Sequence, residues 1–228
     1  MSRSPAPMSE ADHARVSAAV QAAEAQSAGE IVTILADRSD DYADTPLGWA
    51  SAVALLTLAA VAAIPHRFIG LVESQSGGWG AQVPVERLLG VLAALAAIMF
   101  AITWLIVRSP ALRVRLTSAT TRATRVRARA ITCFKVGAER RTHGRTGILI
   151  YLSMRERRAE IVADEAITAL VGAETWGDAM AAMLIEIRAG RVADGMIAAV
   201  GKVGDVLALH FPRAADDTNE LPDRLIEV

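Results

Sequence analysis

TGILIYLSMRERRAEIVAD, Thr146–Asp164, sets the architecture of the soluble part of this chain. Gly147–Ser153 is a nearly continuous apolar run, the pattern of a central strand covered on both faces. Met154–Arg157 supplies a turn, and Arg158–Ala163 reads as a second strand, the hairpin partner of the first. Far upstream, Glu30–Ala36 (EIVTILA) is rich in β-branched residues and reads as a third strand. One strand before and two after cannot bury their faces separately, so they meet in one sheet. The soluble domain is therefore discontinuous: residues 9–44 form its first part and 108–213 its second, followed by a polar tail at 214–228.

Helices flank these strands. Ser9-Glu10-Ala11-Asp12 resembles a capping box, and His13, Val16, Val20 and Ala23 follow at helical spacing toward a stop at Gly29. Thr117–Arg141 predicts a long basic helix. Asp164-Glu165 opens helical sequence. Glu174–Arg188 is amphipathic through Trp176, Met180, Met183, Leu184 and Ile187, and Asp194–His210 predicts a last helix that Pro212 bars from continuing.

The order helix, GEIVTILADRSDDY, helix, FKVGAERRTHGRTGILIYLSMRERRAEIVAD, a helix opened by Trp176, then GMIAAVGKVGDVLALHFP resembles the TPM domain family. It is most similar to the bacterial membrane-bound members called YgcG-like. The likeness covers roughly residues 9–44 and 128–213, strongest over Thr146–Asp164. It implies a small β-sheet sandwiched by helices, an α/β fold. The family includes acid phosphatases and auxiliary factors of membrane complexes, so the resemblance implies either role here.

Two uncharged apolar runs separate the two soluble parts. Gly48–Ile64 (GWASAVALLTLAAVAAI) and Leu88–Val107 (LLGVLAALAAIMFAITWLIV) approach the roughly 20 residues that a helix needs to cross hydrocarbon. Trp49 and Trp104 sit near run ends, as in aromatic belts. A buried hairpin inside a soluble domain is the alternative, but two helices apolar all round are ill suited to a chain of this size. The expectation is a transmembrane hairpin at 45–107, with spans at about 47–65 and 88–107, joined by a short flexible loop containing SQSGGWGAQ. A signal peptide does not fit: the first run starts far from Met1 behind an acidic, helical flank.

Charge orients the hairpin. Residues 108–158 carry 14 basic and 2 acidic side chains, whereas 1–47 carry 3 and 8 and 159–228 carry 5 and 13. Seven arginines, Arg108 to Arg129, follow the second run before any acid. The positive-inside rule puts that flank, and with it both termini, in the cytoplasm of an inner-membrane protein. The same arginines are placed to contact anionic lipid of the bilayer. They lack the interleaved aromatics of a nucleic-acid surface, and the formal net charge of −1 excludes a uniformly basic nucleic-acid binder.

With 53% hydrophobic residues and a mean hydropathy of +0.33, the chain is neither disordered nor a disulfide scaffold, and Cys133 stands alone. Asp37, Asp40, Asp41 and Asp44 cluster after a strand. If strand ends coincide, Asp164 and Glu165 would join them around a hard cation, Ca²⁺ or Mg²⁺, in a metal-dependent phosphate site. The candidate ligands are Asp37, Asp40, Asp41 and Asp164; an acidic, solvated turn is the other reading. Arg140, Arg141 and Arg145, with His143, could hold an anion or lipid headgroup, or simply end a basic helix. No G-x-S-x-G, HExxH, P-loop or G-x-G-x-x-G occurs, so no nucleophile, zinc or nucleotide motif is present. The functional expectation is an accessory or partner-binding factor for a membrane complex, its partner an unknown membrane protein; the alternative is a divalent-metal-dependent acid phosphatase. Alanine-rich spans with Gly48 and Gly90 permit close helix approach and hence a homo-oligomer.

Overall fold

The computed structural model describes residues 8–75, 83–137, 146–213, 221 and 223–228. The chain divides into two compact units, one of residues 1–40 and 119–228 and one of residues 41–118.

The first unit is built on a four-stranded sheet. Its elements are α1 (Glu10–Glu24), β1 (Glu30–Ala36), α6 (Ala119–Gly137), β2 (Gly147–Ser153), β3 (Arg158–Ala163), α7 (Glu165–Leu170), α8 (Trp176–Arg188), α9 (Val192–His210) and β4 (Ile226–Glu227). The strand order is β3-β2-β1-β4. β1 and β2 run parallel in a register that pairs Glu30 with Gly147 and Ala36 with Ser153. β2 and β3 form the antiparallel hairpin that the sequence predicts, closed by a turn in which Arg157 takes a left-handed backbone conformation (φ 52°). The tail supplies an addition: β4 pairs with β1, and Val228 exchanges backbone hydrogen bonds with Leu35 and Asp37.

Alternation along the strands explains their unbroken apolar character. Ile31, Leu35, Ile148, Ile150 and Leu152 face α1, α8 and α9, packing with Val16, Val20, Met183, Met196, Val200 and Leu207. Val32, Ile34, Leu149 and Tyr151 face the other way, onto Val126, Ala130 and Phe134 of α6. Both faces are covered, so neither needs a polar stripe. The result is an α/β sandwich, with a sheet between helical layers. Local signals place its elements well: Ser9 caps α1 by accepting the Asp12 N–H (3.1 Å), and Ala119–Gly137 carries the basic helix. The helix expected from Thr117 to Arg141 is observed as α6, Ala119–Gly137, with residues 138–141 outside the described residues, and a separate short helix precedes it. Pro110–Leu116 (α5) and α6 are separated at Thr117 and Ser118, where Thr117 is extended (ψ 138°).

The second unit contains α2 (Asp44–Ala63), α3 (Pro65–Gln75), α4 (Val85–Val107) and α5, with α2 packed along α4. α2 and α4 are long and apolar enough to cross a membrane, and only 11% of the most apolar window of each is buried. Leu55, Leu56, Leu89, Ile98, Leu105 and Ile106 are all exposed. Two hydroxyls within these helices are satisfied by their own helix: Thr57 donates to the Val53 carbonyl (2.8 Å) and Thr103 to that of Met99 (2.7 Å). The helix ends are polar. Trp49 Nε1 donates to the Leu116 carbonyl (3.3 Å), Thr45 and Thr117 share a hydroxyl hydrogen bond (2.8 Å), and Arg108 lies 5.5 Å from the Trp104 ring centroid. The first part of the expected connection is helical over Pro65–Gln75, and residues 76–82 of its SQSGGWGAQ stretch lie outside the described residues. Proline fits a first helical position, and Phe68, Leu71 and Val72 recur at helical spacing, with Val72 buried.

Candidate functional site

The acidic segment that leaves β1 is the richest polar feature of the sheet unit, and its surroundings explain its charges. β1 and β2 are parallel and in register, so the chain emerging at Asp37 meets the turn emerging at Met154. Backbone bonds join them: Met154 N–H donates to Ala36 (2.9 Å) and Arg155 N–H to Asp37 (3.0 Å). Arg155 Nε then donates to both Asp37 oxygens (3.1 and 2.9 Å). Arg125 of α6 pairs with Asp40 at 3.2 Å.

Beneath these pairs lies a buried network. Glu156 is 3% exposed; its Oε1 accepts the Ser39 N–H (3.0 Å) and its Oε2 accepts the Ser153 hydroxyl. Ser39 Oγ shares a hydrogen bond with the Tyr151 hydroxyl (3.1 Å), and burial pushes the Tyr151 phenol above its ordinary range. A carboxylate holding two donors at the foot of a loop fixes that loop's path. Sequence reasoning overlooked Tyr151, Ser153 and Glu156. The signal was present as Ser153-Met154-Arg155-Glu156, the S-x-x-E spacing of a capping box, used here across a strand turn.

The strand ends do not coincide as the proposed metal set requires. β3 runs antiparallel to β2, so Asp164 returns to the start of β2: its Oδ2 accepts the Gly147 N–H (3.1 Å), and its own N–H donates to the Gly147 carbonyl (2.9 Å). Asp37 lies beyond the other end, roughly 20 Å away at about 3.3 Å per strand residue. Asp164 is therefore a strand-to-helix connector before α7 and no co-ligand of Asp37 or Asp40. Asp41 begins the second unit, where its carbonyl accepts from Arg113 (3.2 Å). Among the described residues no group of three or more His, Cys, Asp or Glu is arranged to hold a metal ion. Arg140, Arg141, His143 and Arg145 lie outside the described residues.

A second buried carboxyl sits at the start of the sheet. Glu24, at the end of α1, accepts the Ile31 N–H at 2.7 Å. Burial pushes its pKa up to about 8 despite that bond, with Glu30 and Asp223 adding to the rise. Glu30 in turn accepts the Leu221 N–H (3.1 Å). These contacts fasten the C-terminal segment beside β1.

The comparisons agree with this architecture. The family model for the TPM domain matches residues 110–206, taking in α5, α6, the β2–β3 hairpin, α7, α8 and most of α9. The solved structure of the BA42 protein from the psychrophilic bacterium Bizionia argentinensis, determined by NMR, is similar in fold: TM-score 0.57 at 16% identity, covering 100% of both chains. No curated protein matches the chain. The matched segment supplies two strands of a sheet that is completed by β1 and β4 from outside it. Residues 110–206 thus match the TPM domain, within a unit whose sheet is covered by helices on both faces.

Proposed function

We propose that this is a membrane-anchored TPM-domain protein of the bacterial inner membrane. In this reading α2 and α4 form a transmembrane hairpin, and the sheet unit is a cytoplasmic accessory module that binds a partner in a membrane complex. The observation that carries it is the exposed apolar surface of the two long helices, against a sheet unit whose apolar strands are buried. Water would penalise that surface at about 25 cal/mol per Å², whereas lipid would accept it. The Trp49 and Trp104 ends, with Arg108 and the arginines of α5 and α6, supply the interfacial and positive-inside features that orient such a hairpin.

The test is extraction and protease protection in bacteria. The full chain should resist alkaline wash, dissolve in detergent, and keep α9 intact when protease is added outside spheroplasts. Release into the aqueous phase by alkali would overturn the anchor, and cleavage of α9 from outside would overturn the orientation.

The phosphatase alternative gains nothing from the geometry, because its carboxylates are dispersed or paired with arginine. Detergent-solubilised protein should hydrolyse a phosphomonoester no faster with Ca²⁺ or Mg²⁺ than without, and the Asp40→Ala/Asp41→Ala variant should match it. A metal-stimulated rate lost in that variant would restore the enzyme reading.

A further inference from the structure

β3 is one of the two edge strands of the sheet, and among the described residues it has no strand on its outer side. β3 pairs only with β2, and in an antiparallel ladder alternate residues turn their N–H and C=O groups away from the partner strand. Among the described residues no backbone hydrogen bond reaches Ala159–Val162 from that outer side. Beside this edge runs a groove of about 540 Å³. One wall is apolar, made by Val171, Trp176 and Met180; the other bears Arg127 of α6. Arg127 is 66% exposed, and although it touches Glu160 (3.3 Å) it stands on a helix that carries Arg122, Arg125, Arg129 and Lys135 and no carboxylate.

We infer that this groove receives an extended peptide of a partner protein, added as a fifth strand beside β3, with apolar and acidic side chains in alternation. The inference rests on the partner-binding reading above and names its site. Main-chain hydrogen bonds to the open edge supply the docking, as in other strand-addition complexes. Side chains of an added strand point alternately to the two faces of the sheet. Those on one face meet Trp176, Met180 and Val171, which calls for apolar residues. Those on the other meet the acid-free basic helix, which calls for carboxylates. A basic or uniformly polar peptide fits only one wall or neither.

The probe is a blocked octapeptide alternating valine and glutamate, added to the full-length chain in detergent. Binding is read by Trp176 fluorescence against a Trp176→Phe control and by hydrogen exchange at the β3 amides. The expected result is protection confined to β3. N-methylating the peptide amides that face β3 should weaken binding at least tenfold, leaving the protein untouched. Arg127→Glu should lower affinity for this peptide about tenfold and raise it for the valine–lysine counterpart, the size of a single lost charge-assisted contact. Equal binding of the N-methylated peptide, or no protection of β3, overturns the inference. So does protection of β3 that grows with protein concentration alone, which would make a second copy the occupant. Failure of the peptide while the chain is still captured with a membrane protein through another face would sink the groove and leave the accessory role standing.

Discussion

Two apolar stretches of this chain have opposite fates. Gly147–Ser153 is buried along its whole length, with Ile148, Leu149, Ile150 and Tyr151 all at 0% exposure. Leu88–Val107 is as apolar in sequence, yet Leu89, Ile98 and Leu105 stand more than half exposed. Apolarity alone therefore does not say where a residue goes. A strand flanked by helices on both faces finds protein on each side. A pair of long helices finds protein only along their mutual seam, and the rest of each circumference is left for another solvent.

The sharpest break between the two regions is a charge. Ile150→Asp places a carboxylate in a dry core, and the sheet unit should lose its fold, a cost above about 4 kcal/mol. Far-UV and near-UV circular dichroism of the detergent-solubilised chain would report it. Ile98→Asp should leave the denaturation of the sheet unit unchanged. On the proposed membrane anchoring its cost should fall on insertion instead, about 3 kcal/mol near a helix centre, seen as a shift from membrane to aggregate fractions. A milder pair guards against simple misfolding. Leu149→Ala should destabilise the sheet unit by about 2–5 kcal/mol, whereas Leu105→Ala should leave it within about 0.5 kcal/mol of the parent. Equal effects on the sheet unit from the strand and the hairpin substitutions would erase the distinction.

Much of this contrast was legible before any coordinates. Strand limits at Glu30–Ala36, Gly147–Ser153 and Arg158–Ala163 follow from β-branched runs bounded by glycine, an acidic turn and a basic turn, all local signals. The two apolar helices follow from length and hydropathy. What escaped the sequence depends on strand direction and pairing. Asp164 and Asp37 each follow a strand, but only the antiparallel return of β3 reveals that they occupy opposite ends of the sheet. The Glu156 network joins Ser39 to Ser153 across 114 positions, and no periodicity reports such a contact. β4 is two residues long in a polar tail, so its strand character comes from β1 and not from its own composition.

Buried polarity sharpens the comparison further, because the sheet unit carries carboxyls in its interior while Gly48–Ile64 carries none. Glu24 holds its proton up to about pH 8 in the folded chain, against an ordinary value of 4.5. The folded state thus binds more protons than the unfolded one between those limits. Its contribution is fully present below 4.5 and is lost as pH rises through about 8, at no more than about 1.4 kcal/mol per pH unit. Urea midpoints should fall across that window, and Glu24→Gln should flatten the slope by keeping the hydrogen bond to Ile31 without a titrating proton. The loss should appear first as faster hydrogen exchange at Leu221 and Val228, since Glu30 and Asp223 share the neighbourhood of Glu24. A slope unchanged in Glu24→Gln would assign the pH dependence elsewhere.

The smallest effect separates glycines that serve packing from glycines that do not. A methyl group on Gly195 would come within 2.9 Å of the Met183 carbonyl oxygen, part of the backbone of α8 and unable to swing aside. Gly195→Ala must therefore push α9 from α8, at a cost of about 1–3 kcal/mol. Gly90, within α4, has no atom within 4 Å of the same position. Gly90→Ala meets no clash and gains helix propensity, so it should be neutral or stabilise α4 by up to about 1 kcal/mol. Thermal melts of the two variants side by side in one detergent decide the matter. A Gly90→Ala chain that loses stability would show that something outside the single chain, such as a second hairpin, approaches α4 at that glycine. The exposed face of the hairpin would then be meeting protein there rather than lipid.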